Sequence, residues 1–292
     1  MKDVFGEIAE LTNHAGTQPT ETELPGVWII KGEVSQHQLA AVYEPMIGFI
    51  VQGGKTISIG DQTLYMKAPS YFIIPTEIPA AGRVEQGENG LPYLSVALYL
   101  NRESLLRLTE DVPDAHWERK VSEEFSGCVV DRDLAEVWLR MVRLLHTPEH
   151  IPALFPVYER EILYRTLLGP QGWRLRQLCF SDGKMPRIHR SIRWIRENFT
   201  KPLDVKRIAD KTGLAVTTFH RRFKEITGIS PIQFQKQLRL LEARKLLVYG
   251  GSSVLEAAYE VGYESPSQFN REYSRFFGDS PARDASRLRK SG

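Results

Sequence analysis

The chain has few of the residues on which covalent or metal chemistry depends. Its 292 residues include only two cysteines and seven histidines. Cys128 and Cys179 are distant in sequence and belong to no CxxC pair or Cys/His cluster, so we expect both to be reduced and buried. This pattern excludes a cysteine-based metal site.

Long apolar runs are also missing. No segment approaches the roughly 20 consecutive apolar residues that span a bilayer. Residues 1–10 mix acids into an amphipathic pattern and lack the basic start and apolar run of a secretory signal. We therefore expect a cytoplasmic protein with no membrane partner. The length suits two domains, and 42% hydrophobic with 25% charged residues is ordinary for a globular chain.

Charge is divided unevenly along the chain. The net charge is +2, but residues 184–292 hold 22 Lys and Arg against 11 Asp and Glu, giving +11 there and −9 in residues 1–183. A compact basic region is typical of nucleic-acid binding, because Lys and Arg neutralise phosphates. A membrane surface and a solvated face stay open on charge alone.

The N-terminal part alternates short strand-like runs with turns. A predicted arm at residues 1–24 begins with an amphipathic helix. Runs rich in β-branched and aromatic residues follow at 27–31, 48–52, 56–59, 63–66, 71–74 and 94–100, separated by Gly, Pro and Asn turns. This spacing predicts an antiparallel sandwich or barrel.

Two helices follow the strands. Apolar residues recur at helical spacing from Leu134 to Leu145 and again from Leu154 to Leu163. The first stripe is wide enough to cover the barrel and to bury a partner helix, so it predicts a homodimer. Its residues are Leu134, Val137, Trp138, Met141 and Leu145. The predicted domain covers 25–168, with a linker at 169–184.

An internal repeat organises residues 185–292. The sequence GISP at 228–231 recurs as GDSP at 278–281, an offset of 50, and upstream the offset is 49. Each copy predicts a helix with a small Ala, a Gly turn and a second helix with an apolar face. This is the helix-turn-helix layout, because Gly supplies the angles of a sharp turn and Ala lets two helices cross closely. We place the units at 204–227 and 253–277.

The second helix of each unit has a polar outward face. With Phe219, Phe223 and Ile226 inward in one copy and Phe269, Tyr273 and Phe276 in the other, donors and acceptors suited to DNA point out. The predicted base-reading residues are Thr217, Thr218, His220, Arg221, Ser267, Gln268, Asn270 and Arg271. The predicted phosphate contacts are Lys206, Arg207, Lys224 and Arg275. Solvated helix surface is the alternative for any one position, but two copies in a +11 region disfavour it.

Residues 185–283 resemble the DNA-binding domain of the AraC/XylS family of bacterial regulators. The resemblance rests on LD at 203–204, IA at 208–209, FHRRFK at 219–224, VGYES at 261–265 and the two Ser-Pro motifs. It implies a seven-helix domain whose two recognition helices enter successive major grooves, bridged here by residues 231–248. Asp284-Ala285 departs from the aromatic and basic residues usual in the family.

The N-terminal domain is similar to the cupin-like effector and dimerisation domain of one AraC-type subfamily. The similarity rests on YEP at 43–45, VQG at 51–53, GD at 60–61 and the helical exit ILYR at 162–165. The expected fold is therefore α+β with two domains, an N-terminal antiparallel cupin-like barrel with flanking helices and a C-terminal all-α double helix-turn-helix domain. Metal cupins need a His cluster on inward strands, and His37 alone precedes Leu100 in this region, so we predict no metal, cofactor or catalytic residue.

Two uses of the barrel stay open. In one it encloses a small-molecule effector, and in the other it serves only dimerisation or a protein partner. Strand aromatics either line a pocket or form plain core, and the −9 charge weakly disfavours a highly anionic effector. These aromatics are Tyr43, Phe49, Tyr65, Tyr71 and Tyr93. The predicted partners are double-stranded DNA, a second copy of the chain, a small-molecule effector and RNA polymerase, and family precedent favours activation.

Overall fold

The structure is a computed structural model that describes residues 2–16, 19–32, 38–60, 62–109, 112, 127–179 and 185–291. His37, Asp61, residues 180–184 of the predicted linker and the side chain of Cys179 lie outside this description. The described chain forms an N-terminal β domain with helices and a C-terminal helical domain, which confirms the predicted fold class.

Two facing antiparallel sheets form the N-terminal barrel. The strands are β1 (Thr20–Glu21), β2 (Val27–Gly32), β3 (Gln38–Tyr43), β4 (Met46–Gln52), β5 (Gly54–Ile59), β6 (Gln62–Lys67), β7 (Ser70–Ile74), β8 (Ile78–Glu85), β9 (Tyr93–Tyr99) and β10 (Cys128–Val129). One sheet has the order β1-β2-β9-β4-β7-β10 and the other β3-β8-β5-β6. The six predicted runs are all confirmed as strands.

Alternation along the strands creates two separate cores. On β9, Leu94, Val96 and Leu98 face a helical layer, whereas Tyr93 and Ala97 face the barrel interior between the sheets. The predicted aromatics divide in the same way. Tyr43 and Tyr93 are interior, Phe49 and Tyr71 face the helices, and Tyr65 is exposed.

Helices cover the outer face of the larger sheet. They are α1 (Lys2–Leu11), α2 (Arg102–Thr109), α3 (Arg132–Arg143), α4 (Ile151–Leu168) and α5 (Gly172–Cys179). Phe49 of β4 is stacked on Trp138 of α3 at 5.0 Å and on Phe5 of α1 at 6.0 Å between ring centroids. Arg143 of α3 donates to both carboxylate oxygens of Glu7, so the N-terminal helix is held on the domain.

This packing corrects the predicted dimerisation stripe. Leu134, Val137, Trp138 and Met141 are fully buried within the chain, and Leu145 is half-buried against the same core. The larger sheet, α1 and α4 together bury the apolar face of α3, so this face is not free for a partner helix. The predicted linker is also shorter than expected, because α5 packs on α2 and α4 and Leu175 is buried there.

The described residues 185–291 form seven helices of the C-terminal domain. They are α6 (Met185–Glu197), α7 (Val205–Thr212), α8 (Val216–Thr227), α9 (Pro231–Val248), α10 (Val254–Glu260), α11 (Pro266–Phe277) and α12 (Pro281–Ser291). The bridge α9 has the predicted bounds. Within the described ranges, no helix is long and apolar enough to cross a membrane, and no three His, Cys, Asp or Glu residues are grouped to hold a metal ion.

The smaller sheet of the barrel contacts the C-terminal domain. Helix α9 packs on β3 and β8, and Ile229 approaches Gly60 so closely that a Cβ atom there would collide with it. Arg196 of α6 forms an ion pair with Glu77 beside β8. With its amide oriented to satisfy both partners, Gln237 of α9 donates to the Pro79 carbonyl and accepts from the Gly60 amide.

Candidate nucleic-acid interface

The first helix-turn-helix unit is formed by α7 and α8. The Asp204 carboxylate caps α7 by accepting from the Arg207 amide at 3.0 Å. The helix ends at Gly213 in the left-handed conformation, with φ 64°, which permits the sharp turn into α8. Phe219, Phe223 and Ile226 are buried, as predicted from the repeat.

The second unit repeats this design in α10 and α11. Ser253 and Glu256 form a capping box at the start of α10, and Ser265 caps α11. Gly262 has φ 91° and lies against the Thr200 carbonyl, where a side chain would not fit. The inward residues differ by one position from the prediction, because Phe277 is fully buried while Phe276 is half-buried.

The outward faces of α8 and α11 carry the predicted base-reading residues. Five are exposed and three half-buried; the exposed ones are Thr217, Arg221, Ser267, Asn270 and Arg271, and the half-buried ones Thr218, His220 and Gln268. All four predicted phosphate contacts are exposed, namely Lys206, Arg207, Lys224 and Arg275. The two helices therefore present hydrogen-bonding and cationic side chains to solvent in the same relative positions.

Internal contacts distinguish these side chains from one another. The Gln268 amide donates to Glu272 at 3.0 Å, so its nitrogen already has a partner within α11. Arg221 lies 3.6 Å from Glu225 on the same helix. Among the described residues Arg271 forms no ion pair, which leaves its guanidinium the more available of the two equivalent arginines.

Glu272 anchors a charged cluster between α9 and α11. It accepts from Lys236 at 2.6 Å and from the Tyr263 hydroxyl at 2.8 Å, in addition to Gln268. Although burial raises it, these hydrogen bonds together hold the pKa of Glu272 below its usual value. The carboxylate thus remains charged and orients α11 on the bridge helix.

Arg239 links the two units through the backbone. Its guanidinium donates to the Phe199 carbonyl at 2.8 Å and to the Gly262 carbonyl at 2.7 Å. It also donates to Thr200 and Lys201, and Gln235 reaches the Phe199 and Lys201 carbonyls. One bridge-helix side chain therefore ties the turn of the second unit to the loop before the first. Sequence reasoning missed it, because α9 carries many polar and charged residues and nothing in its sequence singles out Arg239.

Asp284 explains the departure from the family pattern. Its carboxylate is fully buried and accepts two hydrogen bonds from Arg244, at 2.7 and 3.0 Å. The Tyr273 hydroxyl donates to it at 2.9 Å and Arg287 at 2.6 Å. An aspartate in the first turn of α12 thereby holds that helix against both α9 and α11.

Comparison with protein-family models identifies both parts of the chain. A model described as the AraC-type transcriptional regulator N-terminus matches residues 23–174, and a helix-turn-helix domain model matches residues 208–287. The chain belongs to the AraC-type transcriptional regulators. This confirms the family resemblance drawn from the C-terminal motifs and from the short motifs of the N-terminal domain.

Curated relatives of this AraC-type chain include the transcriptional activator RhaS. RhaS of Escherichia fergusonii is 34% identical over 158 residues, covering 51% of this chain and 56% of the relative. RhaS of Yersinia pestis is 31% identical over 109 residues, covering 37% of this chain and 40% of the relative. The chain thus spans about half the length of the curated relatives it matches.

Among solved structures, ToxT from Vibrio cholerae has a similar fold. An apo variant superposes with a TM-score of 0.54 at 10% identity, covering 93% of this AraC-type chain and 100% of ToxT. A second ToxT structure gives a TM-score of 0.56, covering 88% and 93% of the two chains. The arrangement of barrel and helical domain is therefore one already found in solved proteins.

Proposed function

We propose that this chain is a sequence-specific DNA-binding transcription activator that reads two half-elements with α8 and α11. The observation that carries the proposal is the pair of equivalent polar helices joined by one bridge. Helix α9 has 18 residues and so is about 27 Å long, which suits two helices in adjacent major grooves. The name of RhaS, a transcriptional activator, supports activation as the outcome of DNA binding. We propose RNA polymerase as a further partner and the cytoplasm as the location.

Selection from random DNA tests this proposal. The full chain is expected to retain fragments with two conserved blocks, about 10 bp apart centre to centre for each copy of the chain. A single block of five or six base pairs, a length far short of that span, would mean that only one unit reads bases. Failure to bind DNA even at low salt, where phosphate contacts are strongest, would contradict the proposal altogether.

We infer further that the active form is a homodimer and that the barrel senses a small molecule. The dimer cannot use the buried stripe on α3, whereas Leu154 and Val157 of α4 are exposed on one face. Support for sensing comes from the fold, because ToxT has been crystallised with an unsaturated fatty acid bound. Light scattering of the full chain at micromolar concentration tests the dimer, and a monomer mass would contradict it.

A further inference from the structure

The barrel interior contains a buried lysine. Lys55 of β5 is 3% exposed and shares the inward face of its strand with Ile57 and Ile59. Among the described residues, no carboxylate or other acceptor pairs with its Nζ atom. Fully buried lysines are rare unless they are paired, because an ammonium ion loses its hydration on burial.

Aromatic rings surround this ammonium group. The Nζ atom lies 4.9 Å from the ring centroid of Tyr43 and 5.2 Å from that of Phe72. Ring faces attract a cation, but such contacts compensate only part of the lost hydration. Burial accordingly lowers the pKa of Lys55 to about 8, so the group is still largely charged at neutral pH.

Two further polar atoms in the same interior lack partners. The Tyr93 hydroxyl and the Ser70 hydroxyl are buried without a hydrogen bond in the described structure, on residues 0% and 7% exposed. Ser95, two residues further along β9 on the same face of the strand, is the polar neighbour of the Tyr93 hydroxyl. Buried hydroxyl groups normally find a partner in protein or water.

Strand register places these groups on one face of the larger sheet. Ser70 and Ser95 are both paired with Ile50, so the three residues form a row across β7, β4 and β9. Ile50 and Tyr93 belong to the core between the sheets, the same core as Phe72 beside the Lys55 ammonium. One cation and two hydroxyl donors therefore face a shared, otherwise apolar interior.

We propose that this interior binds the carboxylate of a small, otherwise apolar monoacid, with Lys55 as its counter-ion and Tyr93 and Ser70 as donors. A single ammonium balances a single negative charge, and the aromatic walls suit a hydrocarbon or aromatic body. The site rests on the proposed sensing function of the barrel and specifies its ligand class. The positive charge of Lys55 thus favours an anionic ligand, although residues 1–183 have a net charge of −9.

The test uses the full chain and three acids with their matched amides: benzoate and benzamide, phenylacetate and phenylacetamide, octanoate and octanamide. Thermal shift and calorimetric titration are compared for the natural chain, Lys55→Met, Tyr93→Phe and the control Lys67→Met. Lys67 is a solvent-exposed lysine on the neighbouring strand β6.

At least one acid is expected to stabilise the natural chain and the control, and its amide should bind about tenfold more weakly or worse. Tyr93→Phe should weaken binding of the acid about tenfold, and Lys55→Met should weaken it about a hundredfold or more. Tyr93→Phe preserves the ring, so it reports on the site even if Lys55→Met disturbs folding.

Three results would overturn the proposal. If Lys55→Met bound an acid as tightly as the natural chain does, Lys55 would not be the counter-ion of the carboxylate. Equal binding of acids and amides would leave a sensing barrel with a different ligand class. No shift with any of the acids would refute the carboxylate site, while selection of DNA fragments by the same protein would still test the DNA-binding function independently.

Discussion

Asp284→Asn isolates the charge that holds the second helix-turn-helix unit together. The substitution keeps the shape of the side chain but removes the negative charge to which Arg244 and Arg287 donate. Arg287 is 39% exposed and can return to water, whereas Arg244, at 8%, cannot. The main consequence is therefore a buried guanidinium ion without a counter-ion.

The expected loss is large relative to the stability of a domain. Breaking a buried ion pair by removing one partner costs about 3 to 5 kcal/mol, and a whole domain is stable by about 5 to 15 kcal/mol. Since asparagine still offers an acceptor, we expect about 3 kcal/mol. Glu242→Gln on α9, the helix that carries Arg244, is the matched control, because its partner Lys245 is 65% exposed and such pairs contribute about 0.5 kcal/mol or less.

Hydrogen exchange resolved by peptide measures the effect locally. Amides of α11 and α12 should exchange about a hundredfold faster in Asp284→Asn, with little change in the barrel or in Glu242→Gln. Replacing both members of the pair, with Arg244→Met and Asp284→Leu, should recover much of the loss. Equal exchange in the two single variants would refute the assigned role of the buried pair.

Three further predictions concern other parts of the chain. Arg271→Ala should relax base preference in one half-element. Arg207→Ala should weaken binding to all DNA sequences alike and reduce the salt dependence of the affinity by about one released ion. Affinities for single-base variants of the site at several salt concentrations check both. Between about pH 8 and 10.5 the folded chain binds fewer protons at Lys55 than the unfolded chain does. The free energy of unfolding should therefore rise with pH across that window, by up to about 1.4 kcal/mol per pH unit. Lys55→Met should lack this rise in thermal melts. Val157→Arg, on the exposed face of α4, should convert dimer to monomer in light scattering; an unchanged dimer mass would place the interface elsewhere.

The helical repeat was predictable because its signals are local. Gly213 and Gly262 mark the turns, Asp204 and Ser253 mark the helix starts, and apolar spacing defines the buried faces. Strands β3 and β8 were missed because their sequences, QLAAVY and IPAAGRVE, contain alanine, glycine and proline in place of β-branched runs. Pairing with each other and packing on α9 supply the stability that propensity does not.

The other features that the sequence did not predict depend on which elements pack against each other in the folded chain. A wide apolar stripe at helical spacing does not say whether its second neighbour is a partner copy or another helix of the same chain. In α3 it is the same chain, since Trp138 is stacked on Phe49 and α1 packs on α3. Likewise the role of Arg239 depends on carbonyl groups that only the folded loops bring to it.

Strand β3 connects the barrel interior to the DNA-binding domain. Successive residues of a strand point to opposite faces, so Tyr43 borders Lys55 in the interior while Ala40 and Val42 pack toward the core that includes Leu240 and Leu241 of α9. The strand is paired along its length with β8, which also contacts α9. We expect that, if the proposed ligand displaces Tyr43, β3 will carry that displacement to α9, the helix that joins α8 and α11.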